Sequence, residues 1–402
     1  DENDLPLLTV PWEVHLSDMI KDFSIHVFLQ DTTDEQIASA LIAAIETPDN
    51  QDAYRKDLLQ YFDFSEVDSV TAKLAGMDTV SFSDLFGLFI KGDFTGAYKL
   101  LMQELGQLFF PGITAFREIL LAILGIGMVA MLLHYLAGFV KNKQVADMTA
   151  YFIYLLMMIL LFRYVTTMLS ISKQNLENLR EFMSVLVPGY FLSVSLAGGS
   201  VAAAVNYQFF LLLLMGVDYI LLNLLLPCSK GCIYLAVMNG IDDRGRMKEL
   251  IRLVERTLSL GIKLCLTVTV SVSTMQNLIA SKLDGVQKSL LQRAIGSIPG
   301  IGDLSESMVQ VFMGSAGLIR NTIGTAGMCM LFFIMIKPMF RIFCILAAMK
   351  LGGACLGLMG LKNLATAVSQ IGDGGIQILK INLCGLLAFY IAILMTMVIV
   401  RG

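Results

Sequence analysis

The sequence predicts an all-α, polytopic membrane protein with two internal repeats and a small helical extracytoplasmic domain at its N-terminus. Three observations carry this reading. The 402 residues are 56% hydrophobic and only 15% charged, which is too apolar for an ordinary soluble fold. The charge is segregated: residues 1–112 hold 20 Asp and Glu against 6 Lys and Arg, whereas residues 113–402 hold 13 against 23. Landmarks also recur at a fixed offset. Pro188-Gly189 and Pro227 return 111 residues later as Pro299-Gly300 and Pro338, and Leu235-Ala-Val-Met238 returns as Leu346-Ala-Ala-Met349. After three residues of drift, Gly261-Ile-Lys263 aligns with Gly375-Ile-Gln377. Duplicated hydrophobic segments interrupted by proline build pathways and assembly cores rather than simple anchors. The expected domains are therefore an acidic extracytoplasmic domain over 1–112, a transmembrane hairpin over 113–185, and repeats over 186–280 and 281–402.

The chain begins with Asp1, and acidic segments translocate easily, so a secretory signal peptide is expected to have been removed. Thr33-Asp-Glu-Gln36 is a capping box, opening a helix to about Glu46 that Pro48 ends. Further helices are expected near 52–62 and 65–75, and Ser83 is expected to cap a short amphipathic helix from Asp84 to Lys91. After Gly92-Asp93, Phe94 to Phe110 leads toward the bilayer; the run from Phe82 to Phe110 is either a docking face or the packed face of a small bundle.

Hydropathy places spans at 119–140 and 148–169, each about the length needed to cross a hydrocarbon core of roughly 30 Å. The segments 193–204 and 305–316 are rich in small residues, and Asp303 and Glu306 flank or enter the second, so broken or re-entrant helices are expected there. Spans at 207–226 and 318–336 should end at Pro227 and Pro338, because proline removes an amide donor and clashes with the preceding turn. Residues 246–258 read as a surface helix, and spans at 259–279 and 378–400 close the repeats, giving six or seven crossings. Lys141, Lys143, Arg244, Arg246, Lys248, Arg252 and Arg256 mark the cytoplasmic side.

Intramembrane charge is the main chemical signal. Arg163 and Asp218 fall inside spans, where a charge must be paired or hydrated, so they form a candidate polar pair; alternatively Arg163 snorkels to the interface. His134 reads as a packed histidine, and Lys263 and Lys380 as snorkelling cations. Cys228 and Cys232 share a helix face but have no accompanying ligands, so they read as small packed residues. Gly300-Ile-Gly-Asp303 matches the short motif of intramembrane aspartyl proteases, with Asp218 as a notional second acid. The first repeat has no counterpart acid, and that reading is set aside. No nucleotide-binding loop, hydrolase motif or cofactor motif is present, and no basic patch suits nucleic acid. The chain is thus expected not to be an enzyme, with no catalytic, cofactor or metal residues. The helix-break positions Pro188, Gly189, Pro227, Pro299, Gly300 and Pro338 are its candidate functional landmarks.

Two segments bring a resemblance into view. They are Ser81-Phe-Ser-Asp-Leu-Phe-Gly-Leu-Phe-Ile-Lys-Gly92, leading through Phe109-Phe110, and Ile298-Pro-Gly-Ile-Gly-Asp-Leu-Ser-Glu306, followed by Gly314, Gly324 and Gly327. The chain resembles the stage III sporulation protein AE family of endospore-forming bacteria. The resemblance implies a mother-cell membrane protein facing the engulfed forespore, with its N-terminal domain in the intermembrane space. It further implies membership of a multi-subunit, secretion-like channel complex that reaches a forespore partner and sustains forespore gene expression. Its partners would be membrane lipid and the other subunits. The rival reading is a secondary transporter with a substrate site between the repeats.

Overall fold

A computed structural model describes residues 63–75, 80–137, 143–198, 200–241, 247–296 and 302–398. The capping box at Thr33, the helices expected before residue 62, and Pro299-Gly300 lie outside the described residues. The chain divides into two compact units, Asp1–Glu66 and Val67–Gly402. The division falls well before residue 112, so the segment leading to the first span belongs with the helical body. Nine α-helices are described: α1 (Ser65–Ala75), α2 (Phe82–Ile90), α3 (Phe94–Ala137), α4 (Lys143–Gly198), α5 (Ser200–Tyr219), α6 (Leu226–Ile241), α7 (Lys248–Gly296), α8 (Gly302–Leu358) and α9 (Lys362–Val398). A π-helical turn, Ile220–Leu225, joins α5 to α6. No strand occurs among the described residues.

Among the described residues, six stretches are long and apolar enough to cross a membrane: Phe109–Leu133, Tyr151–Ser193, Leu212–Asn239, Glu249–Met275, Gly317–Leu358 and Lys362–Met397. The all-α membrane class read from the sequence therefore holds. Residues 246–258 do not form a separate surface helix; Lys248 onward is the start of α7 itself. The expected domain boundaries at 185/186 and 280/281 fall inside α4 and α7.

The prolines do not act as expected. Pro188 lies within α4 and Pro338 within α8, and neither ends its helix. Gly189 is buried in the same unbroken stretch of α4. A proline costs one amide donor, but packed neighbouring helices hold the rest of the ladder in place. Pro227 is handled differently. It stands two residues after the end of the π turn, whose wider winding relieves the clash between the ring and the carbonyl four residues back. The segments expected to hold broken or re-entrant helices are helical: 193–198 ends α4 and 200–204 begins α5, while 305–316 lies in the first part of α8.

Two short loops are fixed by local chemistry. Ser81, not Ser83, caps α2: its side chain accepts from the amide of Asp84 at 3.0 Å. The hydroxyl of Ser83 instead donates to Asp68. At the α8–α9 turn Gly360 adopts φ +81°, while its amide donates to the Gly357 carbonyl and that of Leu361 to the Leu356 carbonyl. This is a Schellman motif, whose left-handed residue should be glycine. Gly360→Val is expected to lower stability by about 1–2 kcal/mol, measured by SDS unfolding in mixed micelles. Ahead of α1, the Ser65 amide donates to Asp63 at 2.9 Å and holds that carboxyl below its usual range.

α9 is the hub of the body, packed on α4, α6, α7 and α8. Its apolar window is 56% buried, against 22% for those of α3 and α7, which face outward. The close approach is made by Gly374 and Gly375. A Cβ at Gly374 would meet Ile233 Cγ1 of α6 at 2.6 Å, and one at Gly375 would overlap Leu346 of α8 and touch Met168 of α4 at 3.2 Å. Around this junction lies the core of Met157, Leu161, Val165, Ile342, Ile345, Met349, Val368 and Ile371.

Candidate functional site: a polar seam around α9

A seam of polar side chains runs along α9 inside this apolar body. Toward the N-terminal end of α9, Gln370 accepts from Asn239 of α6 at 3.3 Å. One turn on, Lys350 of α8 donates to Asp373 at 2.5 Å, and to the carbonyl and hydroxyl of Ser369 at 3.0 and 3.2 Å. Further along, Asn382 is fully buried. Its Nδ2 donates to Ser172 Oγ at 2.5 Å and to the Ile378 carbonyl at 2.9 Å, while its Oδ1 accepts from Asn175 Nδ2 at 2.9 Å. Both outside partners lie on α4. Near the end of α9, Tyr190 donates to Thr396 Oγ1 at 2.9 Å, and the buried Arg320 donates to the Met397 carbonyl at 3.1 Å. Arg320 thus serves the C-terminal carbonyls of α9, where a cation is favoured by the helix dipole.

The predicted pair of Arg163 with Asp218 is replaced by another. Asp218 accepts from Arg180 Nη1 at 3.0 Å. Arg163 is exposed on the same helix as Arg180, 17 residues away, which is about 25 Å at 1.5 Å per residue. Sequence reasoning missed Arg180 because it ended the second span at Leu169 and took what followed as a connection. The signal was there: Leu176, Leu179, Met183 and Leu186 continue the apolar helical spacing through the polar stretch, and all four are buried. Arg180 is 52% exposed and Asp218 only 12%. Removing the arginine strands a buried carboxylate, whereas removing the aspartate leaves a cation with access to water. Arg180→Ala is therefore expected to cost about 2 kcal/mol and Asp218→Ala less than about 1 kcal/mol in SDS unfolding.

The other predicted residues stand apart from the seam or at its edge. Lys263 and Lys380 are exposed on α7 and α9, Cys228 is half-buried and Cys232 buried on α6. His134 and Asp303 lie in α3 and α8, but their side chains are outside the described residues. The hydrogen-bonded partner of Asp218 is thus a guanidinium rather than a second acid.

The seam joins helices drawn from most of the chain, and the comparisons extend over the same range. The stage III sporulation protein AE family profile matches residues 80–400. The chain belongs to that family. It is similar to the stage III sporulation protein AE of Bacillus subtilis (strain 168), with 20% identity over 316 residues, 78% of each chain. No solved structure matches.

Proposed function

We infer that this chain is an integral membrane core subunit of a sporulation channel or secretion-like complex linking mother cell and forespore. The observation that carries the reading is the family match across nearly the whole helical body. The character of the seam supports it. Asn382 is engaged by Ser172 and Asn175, Asp373 by Lys350, and Asp218 by Arg180. These groups tie helices of one chain together, which suits a scaffold more than a substrate site. The assigned place is the mother-cell (outer forespore) membrane, with the acidic N-terminal residues in the intermembrane space. Its work is to pack with companion membrane subunits; it acts without catalysis, cofactor or nucleic acid.

A secondary transporter would require polar groups left open to a substrate. Gln377 Oε1 and Asn239 Oδ1 are buried without a protein partner, which keeps that rival specific. Mild-detergent purification from sporulating cells after crosslinking separates the two. The complex predicts recovery with other membrane subunits. Recovery as a lone monomer that moves a solute in proteoliposomes would overturn it.

A further inference from the structure

Six cations lie at one level of the helical body. α9 supplies the scale, from Gly375 to Gly385. Gly375 touches Leu346 of α8 and Met168 of α4; Gly385 touches Leu176 of α4 and Leu221 beside α6. Lys380 lies between these glycines on α9, and Lys173 lies between Met168 and Leu176 on α4. Lys230 lies between Leu221 and Ile233, the latter seated on Gly374. Lys263 follows Ile262, whose carbonyl is 3.8 Å from Cys384 Sγ. Lys337 and Arg341 lie between Leu346 and Met328, whose carbonyl accepts from Tyr390 at 2.8 Å. The whole layer spans about 15 Å of helix. Lys337 is half-buried and the other five are exposed. Glu177, 3.7 Å from Lys173, is the acid within the layer among the described residues, with Glu255 and Arg256 at its rim in opposite sign.

Such a girdle cannot lie at the centre of a bilayer. The long helices make the same point by length. α4 has 56 residues, about 84 Å, against a hydrocarbon core of roughly 30 Å. On one side of the girdle, the α3–α4 hairpin exposes Leu121, Met128, Met131, Leu132, Tyr135, Tyr151, Phe152, Leu156 and Ile159. That section of α4, from Tyr151 to Leu169, is about 28 Å long and fits the core. The other side exposes apolar residues as well, Leu212, Met215 and Leu394 among them, but it also carries an exposed ion pair, Lys73 of α1 with Glu181 of α4 at 2.8 Å, with side chains 70% and 39% exposed.

We propose that the bilayer encloses the α3–α4 hairpin side of the body and ends at this girdle, whose cations bind anionic phospholipid headgroups of the leaflet nearer α1. The far section, with α5 and the C-terminal halves of α4 and α9, stands beyond the hydrocarbon. Lysine and arginine are the side chains that reach from an apolar stem to a headgroup. Six at one level make an anion-binding belt, offset among the described residues by Glu177 within it, while Asp373 and Asp218 at its rims are each paired with a cation of their own, Lys350 and Arg180.

Two measurements on the full chain test this. Trp12 is replaced by phenylalanine, and single tryptophans are introduced as Leu132→Trp, Phe152→Trp, Leu212→Trp or Leu394→Trp in vesicles of brominated lipid. Strong quenching is expected at the first two and none above background at the last two; equal quenching at all four overturns the boundary. In native mass spectrometry of the detergent-solubilised chain, phosphatidylglycerol should bind in preference to phosphatidylcholine. The combined Lys230→Gln, Lys263→Gln and Lys380→Gln variant should weaken that binding about a hundredfold, at about fivefold per cation. Binding indifferent to headgroup, or unchanged in the variant, overturns the belt. If the triple variant fails to fold, the single Lys380→Gln, read in the same way, carries the test.

Discussion

Replacing Gly375 with leucine is expected to lower the unfolding free energy by about 3–4 kcal/mol, read by SDS titration of the purified chain. Gly375 lies where α9 is wedged between α8 and α4. Even a Cβ there would overlap Leu346 and sit 3.2 Å from Met168 Cε. Leu346 is 4% exposed and Met168 fully buried, so neither can swing outward. A leucine must push α9 off both neighbours at once, and interiors packed at crystal density transmit that displacement. Gly216 is the control: it is exposed, with nothing within 4 Å of its would-be Cβ. Gly216→Leu is expected to change stability by no more than about 0.5 kcal/mol. Pairing Gly375→Leu with Leu346→Ala conserves most of the volume and should recover about half the loss. A neutral Gly375→Leu would mean that α8 and α9 do not cross at Leu346.

The sequence made the membrane class, the helical content and the apolar stretches legible, because each rests on runs of apolar residues longer than a soluble core helix needs. What it concealed follows from the same signal. Hydropathy stops a span at the first polar cluster, so Ser170 to Glu181 looked like a connection, although it is the middle of α4. That is where Ser172, Asn175 and Arg180 lie, and the seam was missed with them. Proline was read as a helix end because its local cost is certain, while the packing that offsets it depends on helices distant in sequence. Pro188 and Pro338 therefore misled, and among the described residues only Pro227 is accompanied by altered winding, the π turn before it. Asp218 was singled out as a charge within a span that must be paired or hydrated, and the structure pairs it with Arg180. Its partner could not be chosen without the fold, since Arg163 and Arg180 differ in which part of α4 meets α5.

The second large effect is expected at Asn382. Asn382→Leu keeps the volume close to native but removes every hydrogen bond the amide makes, to Ser172, Asn175 and the Ile378 carbonyl. Hydrogen bonds between membrane helices contribute about 0.6 kcal/mol each on average, so their loss alone would be modest. The larger cost is the polar atoms left behind. Asn175 is 1% exposed, and its Oδ1 already has no protein partner. Without Asn382 its Nδ2 is stranded as well, at about 1–3 kcal/mol for a buried unsatisfied group. The single variant should therefore lose about 3 kcal/mol in SDS unfolding. Asn175→Leu alone should lose less, because Asn382 retains Ser172 and the Ile378 carbonyl. The double variant should be more stable than Asn382→Leu, since two apolar side chains then face each other and no amide is stranded. That inversion, a second substitution restoring stability, is what distinguishes a coupled pair from two independent polar residues. Additive losses in the cycle would show that α4 and α9 are not joined at this level.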